Sequence, residues 1–331
     1  MSMSKKEKPA TGFHFTWDTA ILNLLFIVWV LASFTTDNFL SSINVSQIFS
    51  NTSEIMIIAL PVTFLIITGE IDLSIASTLA LSSSVLGWTY LHGAPIWLSI
   101  IIAIATGGLC GFINGFLVTK TRLVALAVTI GTLALYRGIA AGILGTTTVN
   151  EFPEGWTSFG FDTFGTTFIP KTLPLILVLA LVFGLLLHRT PFGRRTFAIG
   201  QSPEAAKFAG VNVDRHKMQL FILTGLMSGL AGVVYTFRFS TAQSDNGVGL
   251  ELLVISACLL GGVSIFGGIG TMWGVLAGVL LAGSVESWLT LSEVNAQWRT
   301  IVTGLLLLIS VTVPVLIDKV KRSQAKAAIR A

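Results

Sequence analysis

Glu70 and Asp72 stand two residues apart in Thr68-Gly69-Glu70-Ile71-Asp72-Leu73-Ser74, a short polar break between long apolar runs. A carboxylate among apolar neighbours carries a proton, holds a polar solute, pairs with a base or caps a helix. At mid-bilayer it costs about 2.5 to 3.5 kcal/mol, so each one needs a reason. Pro61 and Gly69 loosen the run before the pair, and Asp72 with Ser74 alongside also fits a capped inner turn. Glu54 lies two helical turns ahead of Pro61, and Glu251 opens a later run. Both either line a polar path or sit at an interface. Asn114, Thr129, Thr132 and Tyr136 add neutral donors and acceptors. Such groups exchange bonds with a hydroxyl-rich ligand or bond helix to helix. Arg137, beside Tyr136, needs an acid, and Glu151 and Glu154 are the candidates.

Catalytic chemistry finds no support. His14, His92, His188 and His216 are scattered among termini and loops, and none pairs with a cysteine or acid at metal-ligand spacing. Cys110 and Cys258 both lie inside apolar runs and read as packing residues, not as a disulfide framework. The run Gly261-Gly262-Val263-Ser264-Ile265-Phe266-Gly267-Gly268-Ile269-Gly270 fails as a phosphate loop. It continues into Thr271-Met272-Trp273 where Lys-Ser or Lys-Thr is required. It reads instead as a tight turn between two apolar spans.

The elements that must position these groups are membrane helices. Of 331 residues, 53% are hydrophobic and 11% charged, and the mean hydropathy is +0.83; soluble domains carry about 25% charged residues. Apolar runs of span length predict ten helices near residues 17–36, 45–68, 72–90, 95–118, 123–145, 169–188, 218–239, 250–265, 270–289 and 298–317. The first follows Lys5, Lys6 and Lys8, but it is long for a signal core and lacks a small-x-small cleavage site, so it reads as uncleaved. With both termini cytoplasmic, 16 of the 20 lysines and arginines fall on the inner side. The net charge of +4 therefore reports orientation in a membrane, not nucleic-acid binding. The outer segment 146–168, with Phe152, Trp156, Phe159 and Phe161, reads as aromatic anchoring at the interface, a short interfacial helix or a docking surface. Gly107, Gly111 and Gly115, like Gly138/Gly142, Gly225/Gly229 and Gly274/Gly278, put small residues on one helix face, where backbones approach closely.

One inner loop, 189–217, is too polar to span. Within it, Ser202 suits a helix cap, Pro203 the first helical position and Glu204 the positive helix end, and Gly210 stops the element. Roughly 10 Å of helix results, too short to hold a core. Ala205, Ala206 and Ala209 keep it slim and Phe208 offers one anchor. It reads as a peg for another protein's groove or as an amphipathic loop.

Glu204-Ala205-Ala206 followed by Gly210-Val211 resembles the Glu-Ala-Ala loop of ABC importer permeases. The longer stretch from Arg194 to Val234 resembles the ribose, rhamnose and autoinducer-2 branch of the branched-chain amino acid and sugar permease family. So do Thr68 to Ser74, Gly111 to Ala140 and Ile255 to Gly283. The chain departs from that pattern at Glu70, where glycine is usual, and at Ala125-Leu126-Ala127, where proline is frequent. The resemblance implies an all-α, multi-pass permease of the bacterial inner membrane: one transmembrane domain over 1–331, with spans within 17–318, a cytoplasmic coupling loop at 189–217 and a periplasmic segment at 146–168. It implies a sugar-like solute, a second permease copy or paralogue, a periplasmic solute-binding protein, and ABC ATPase subunits that engage Ser202 to Gly210 and themselves hold ATP and Mg. No cofactor is then expected in this chain, which is not itself an enzyme. The alternatives are a proton-coupled carrier working through Glu54 or Glu70, and an ABC permease for nucleosides or branched-chain amino acids. Which solute is carried is not written in the chain.

Overall fold

The computed structural model describes residues 17–165, 167–299, 301, 302, 304, 305, 308 and 312. Lys5, Lys6, Lys8, the basic tail after Ile317 and most of the last expected span lie outside these residues.

Thirteen helices make up the described fold: α1 (Trp17–Thr35), α2 (Ser42–Asn51), α3 (Ser53–Ile67), α4 (Ile75–Leu91), α5 (Ile96–Thr121), α6 (Ala125–Leu144), α7 (Glu154–Phe161), α8 (Leu173–Arg189), α9 (Pro191–Gln201), α10 (Pro203–Phe208), α11 (Val213–Phe239), α12 (Leu250–Leu260) and α13 (Met272–Leu291). Extended pairing among the described residues is limited to the isolated bridges Val149–Ala242 and Thr163–Pro170. By length and composition α1, α5, α6, α11 and α13 can each cross a bilayer, and seven spans result if the bent pairs α2/α3 and α8/α9 count as one each.

The differences from the ten expected spans have local causes. The second span breaks at Thr52, whose hydroxyl donates to the Ile48 carbonyl at 2.8 Å and competes with the helix ladder. The eighth, expected over 250–265, is helical for only 11 residues. That is about 16 Å against the ~30 Å hydrocarbon layer. Hydropathy continues unbroken into the glycine-rich stretch, but the backbone does not stay helical there.

The core is built around α3, in which every residue except Ile55 is buried. Apolar on all sides, α3 is enclosed by α8, α11, α12 and α13. The long helix α11 runs along α3 and also packs on α4, α5 and α7. On the α5 side the predicted glycine face is real: a Cβ on Gly111 would lie 2.2 Å from the Phe221 carbonyl oxygen, and one on Gly225 equally close to that of Gly107. Gly274 and Gly278 serve α12 in the same way. Gly138 and Gly142 do not, since a Cβ at either meets nothing within 4 Å. The helix α1 is tied into the bundle by Trp17, whose indole N–H donates to the Leu260 carbonyl at 3.0 Å, and by Trp29, which donates to Ser284 at 2.8 Å.

Connections between helices gather at two ends. At one, the Gly268 N–H donates to the Ile67 carbonyl at 2.8 Å and the Met272 N–H to His188 at 3.2 Å. This end carries the loop 189–217 with its arginines and lysines. At the other, Val149 pairs with Ala242, Gln243 donates to Thr148 at 2.9 Å, and Tyr90 stacks on Phe152 at 5.4 Å. The segment 146–168 lies here and contains the short helix α7, whose Gly160 sits against the backbone of Arg238. Lys171, donating to Asp162 at 2.7 Å, holds that carboxyl below its usual pKa, with help from the Thr163 N–H.

Gly111→Leu is expected to force α5 off α11, an overpacking cost of about 1–3 kcal/mol or more. Gly138→Ala, in open space, should leave stability unchanged or slightly raised. Thermal unfolding midpoints of the detergent-purified variants check both.

Candidate functional site

Sequence-singled residues fall into three groups in space. The first is the short helix α10. The Ser202 hydroxyl accepts from the Ala205 N–H at 3.2 Å, Pro203 opens the helix, and Gly210, at φ +84°, ends it. Glu204, Ala205 and Phe208 point outward while Ala206 is buried against the bundle. Phe208 is 94% exposed, more than any other large apolar side chain described.

The peg is firmly seated. Just before it, Gly200 approaches so closely that a Cβ would fall 1.8 Å from the Ile67 carbonyl oxygen and 2.5 Å from the Gly268 nitrogen. The end of α3, the end of α9 and the glycine-rich turn therefore meet at one junction without side chains between them, directly before α10. On its other side α10 leads through Ala209–Asn212 into α11, whose first turn is capped by the Asn212 side chain at 3.0 Å from the Arg215 N–H.

The second group is a sealed polar network. Asp72 Oδ1 accepts from the Ser74 N–H at 2.8 Å and the Ser74 hydroxyl at 2.7 Å. Asn114 Nδ2 lies 2.7 Å from Ser74 Oγ, and the Tyr136 hydroxyl lies 3.0 Å from both Asn114 Oδ1 and the Cys110 carbonyl. Thr129 reaches the Ile71 carbonyl at 3.3 Å, and Thr132 turns back to its own helix. These side chains join the start of α4 to α5 and α6, and all are buried. Asp72 is thus a turn acid that anchors a chain of neutral groups, while the first turn of α4, which begins at the N-cap Ser74, takes no side-chain cap.

The third group is a pair of acids at the two ends of α3. Glu54, in its first turn, is buried and accepts from Arg238 Nε at 2.8 Å. Arg238 also donates to Asn51 at 2.8 Å and lies over the Phe239 ring at 4.1 Å. Glu70, just past the other end of α3, is ion-paired with Lys217 in the first turns of α11. The two ion pairs fasten α3 to α11, antiparallel, at both ends. Neither base was matched to its acid in the sequence, where Lys217 counted only as a flanking inner-side charge, although a lone arginine inside the apolar run 218–239 carried the same signal that Arg137 did. Arg137 itself meets neither Glu151 nor Glu154. It donates to the Ser244 and Asn246 carbonyls at 3.1 and 2.8 Å, and the acids near enough to act on its charge include Glu251 and Asp245. Glu251 keeps a buried carboxylate oxygen with no hydrogen-bond partner among the described residues.

Among the described residues no cluster of His, Cys, Asp or Glu has metal-site geometry. The groups singled out are thus a short exposed helix, a buried polar network and two ion pairs.

The chain is similar to known proteins along most of its length. A family model described as branched-chain amino acid transport system, permease component, matches residues 44–311. The ribose import permease protein of Bacillus subtilis strain 168 is 36% identical over 290 residues, 87% of this chain and 89% of that protein. The L-arabinose transport system permease protein of Escherichia coli K12 is 34% identical over 327 residues, 98% and 99% of the two chains. The autoinducer 2 import system permease protein of the same strain is 35% identical over 308 residues, 90% and 92%. No solved structure gives a significant match.

Arg238→Met alone should strand Glu54 in a dry site and cost about 3–5 kcal/mol, whereas the double change Glu54→Leu with Arg238→Met should recover most of it. Unfolding midpoints of the single and double variants read this out; equal losses in both would mean the pair contributes nothing as a pair.

Proposed function

The chain belongs to the family of branched-chain amino acid transport system permease components, and we propose that it is the membrane-spanning subunit of a bacterial ABC importer for a sugar or sugar-like solute. The names of the relatives favour ribose, arabinose or autoinducer-2 over nucleosides and amino acids. The energy source is a separate pair of ATPase subunits, which hold the ATP and Mg; two permease chains, identical or paralogous, enclose one path.

The observation that carries this is α10: a capped helix with its one large apolar side chain fully presented, following directly on the end of α9 that is packed against α3 and the glycine turn. A surface phenylalanine in that position is an anchor without a pocket, and a partner supplies the pocket. In this reading the end bearing 189–217 faces the cytoplasm, where its basic residues belong. The opposite end, with 146–168 and α7, receives the solute from a periplasmic binding protein.

Force then follows the covalent and packed route. Closure of the ATPase dimer shifts α10. Residues 209–212 pass the shift to α11, and the two ion pairs make α3 move with it. Asp72, Asn114, Thr129, Thr132 and Tyr136 hold α4, α5 and α6 together beside this unit and contact solute only when those helices part. A proton-driven carrier working through Glu54 or Glu70 is disfavoured because each carboxylate already holds a base.

Phe208→Ala and Glu204→Lys are each expected to lower uptake of labelled D-ribose or L-arabinose by about tenfold, equivalent to losing ~1.4 kcal/mol of productive docking, with membrane abundance unchanged. Uptake is measured in cells carrying the whole transporter. Normal uptake by both variants would remove α10 from the coupling role; uptake by the permease alone, abolished by an uncoupler, would remove the ATPase.

A further inference from the structure

The described residues include a cleft of about 240 Å³ between α2, the start of α3, α12 and α13. At a share of ~30 Å³ per water it has space equal to several waters, the scale of one sugar ring. Its walls are mixed. Ile55, Leu253, Ala257, Leu260 and Val279 supply an apolar lining, and Arg299 donates to Thr290. Asn44, Gln47 and Asn51 on α2 face Glu286, Ser287 and Thr290 on α13. None of these polar residues of α2 and α13 was singled out in the sequence, where they fell in or beside the spans expected over 45–68 and 270–289.

Exposure makes the cleft informative. Gln47, Asn51, Glu286 and Thr290 are all exposed, yet they occupy helices that are part of the membrane bundle. A carboxylate facing lipid costs several kcal/mol, and intramembrane acids face a bundle interior or water. Glu286 and its neighbours therefore mark a face turned away from lipid. The cleft also lies toward the end that carries 146–168, since α2 precedes the break at Thr52 and Thr290 closes α13.

We propose that this cleft binds a neutral, polyhydroxylated solute of monosaccharide size on the transport path. The proposal rests on the import reading above and adds the place and the residues. Amides and hydroxyls offer a sugar both donors and acceptors. The scaffold is fixed: Asn44 accepts from Ser287 at 2.7 Å and donates to the Phe39 carbonyl at 2.7 Å. Asn51 is also the side chain that Arg238 Nη1 holds at 2.8 Å. A solute bonding Asn51 thus touches the ion pair that fastens α3 to α11, and the rod driven by α10 has a direct handle on the site.

The test uses single cysteines, Asn51→Cys and Glu286→Cys, in the assembled transporter in membranes. The native thiols Cys110 and Cys258 are buried and give a low background. The expected result is labelling by a charged, membrane-impermeant thiosulfonate. D-ribose or L-arabinose, whichever the wild type imports, should slow it by about tenfold when held tenfold above its Kd, while L-leucine should not. Gln47→Leu should cut uptake of that sugar by about tenfold at equal membrane abundance, the loss of ~1.4 kcal/mol of solute binding. Reaction only with an apolar maleimide would place these residues against lipid and overturn the proposal. So would labelling that an imported sugar does not slow, or protection by L-leucine. If the charged reagent labels both positions but the wild type imports neither sugar, the sugar reading falls and the cleft stands as a water-filled path.

Discussion

Two ion pairs hold the protein's central helices in register. Glu54 with Arg238 and Glu70 with Lys217 fasten α3 and α11 at opposite ends, and nearly every other described element packs on one of these two helices. Apolar side chains alone fix such a pair poorly, because a lipid environment supplies no hydrophobic drive to bring helices together. Charges that have only one satisfactory partner do fix it. Sliding α11 along α3 by one turn would part both acids from their bases at once, the buried Glu54 and the half-buried Glu70 alike.

The arrangement gives the short peg its reach. α10 is six residues long and touches little beyond α9 and α11. Directly before it, though, is the close three-way approach of Gly200, Ile67 and Gly268, and its exit is α11, about 40 Å of continuous helix at 27 residues. From there α11 runs without interruption to the far end of the bundle. There Arg238 joins α11 to α2 as well as to α3, at the break where the chain can bend.

How much of this was legible differs by the kind of signal. Caps and stops are local, so Ser202, Pro203 and Gly210 could be read from neighbours in the chain. Acids in apolar runs announce themselves too, and Glu54, Glu70 and Asp72 were all visible. Their partners were not, because pairing is a property of folded distance: Arg238 lies 184 residues from Glu54, and Arg137 turned to backbone carbonyls where an acid was expected. Small-residue spacing found the α5–α11 contact at Gly111 and Gly225, but the same spacing at Gly138 and Gly142 faces open space. A motif states that close approach is permitted, not that a helix is there. Hydropathy likewise overstated α12, since it measures what a segment is made of and not whether its backbone stays helical.

The separation of Glu54 from Arg238 also orders events at the ribosome. The acid is synthesised first, and 184 residues must follow before its base exists. At roughly 5–20 residues per second that is on the order of ten to forty seconds. During this interval the half-made bundle holds a buried carboxyl group whose guanidinium does not yet exist. Only the arrival of α11 closes the pair, so the fastening of α3 is completed late in the synthesis of the chain.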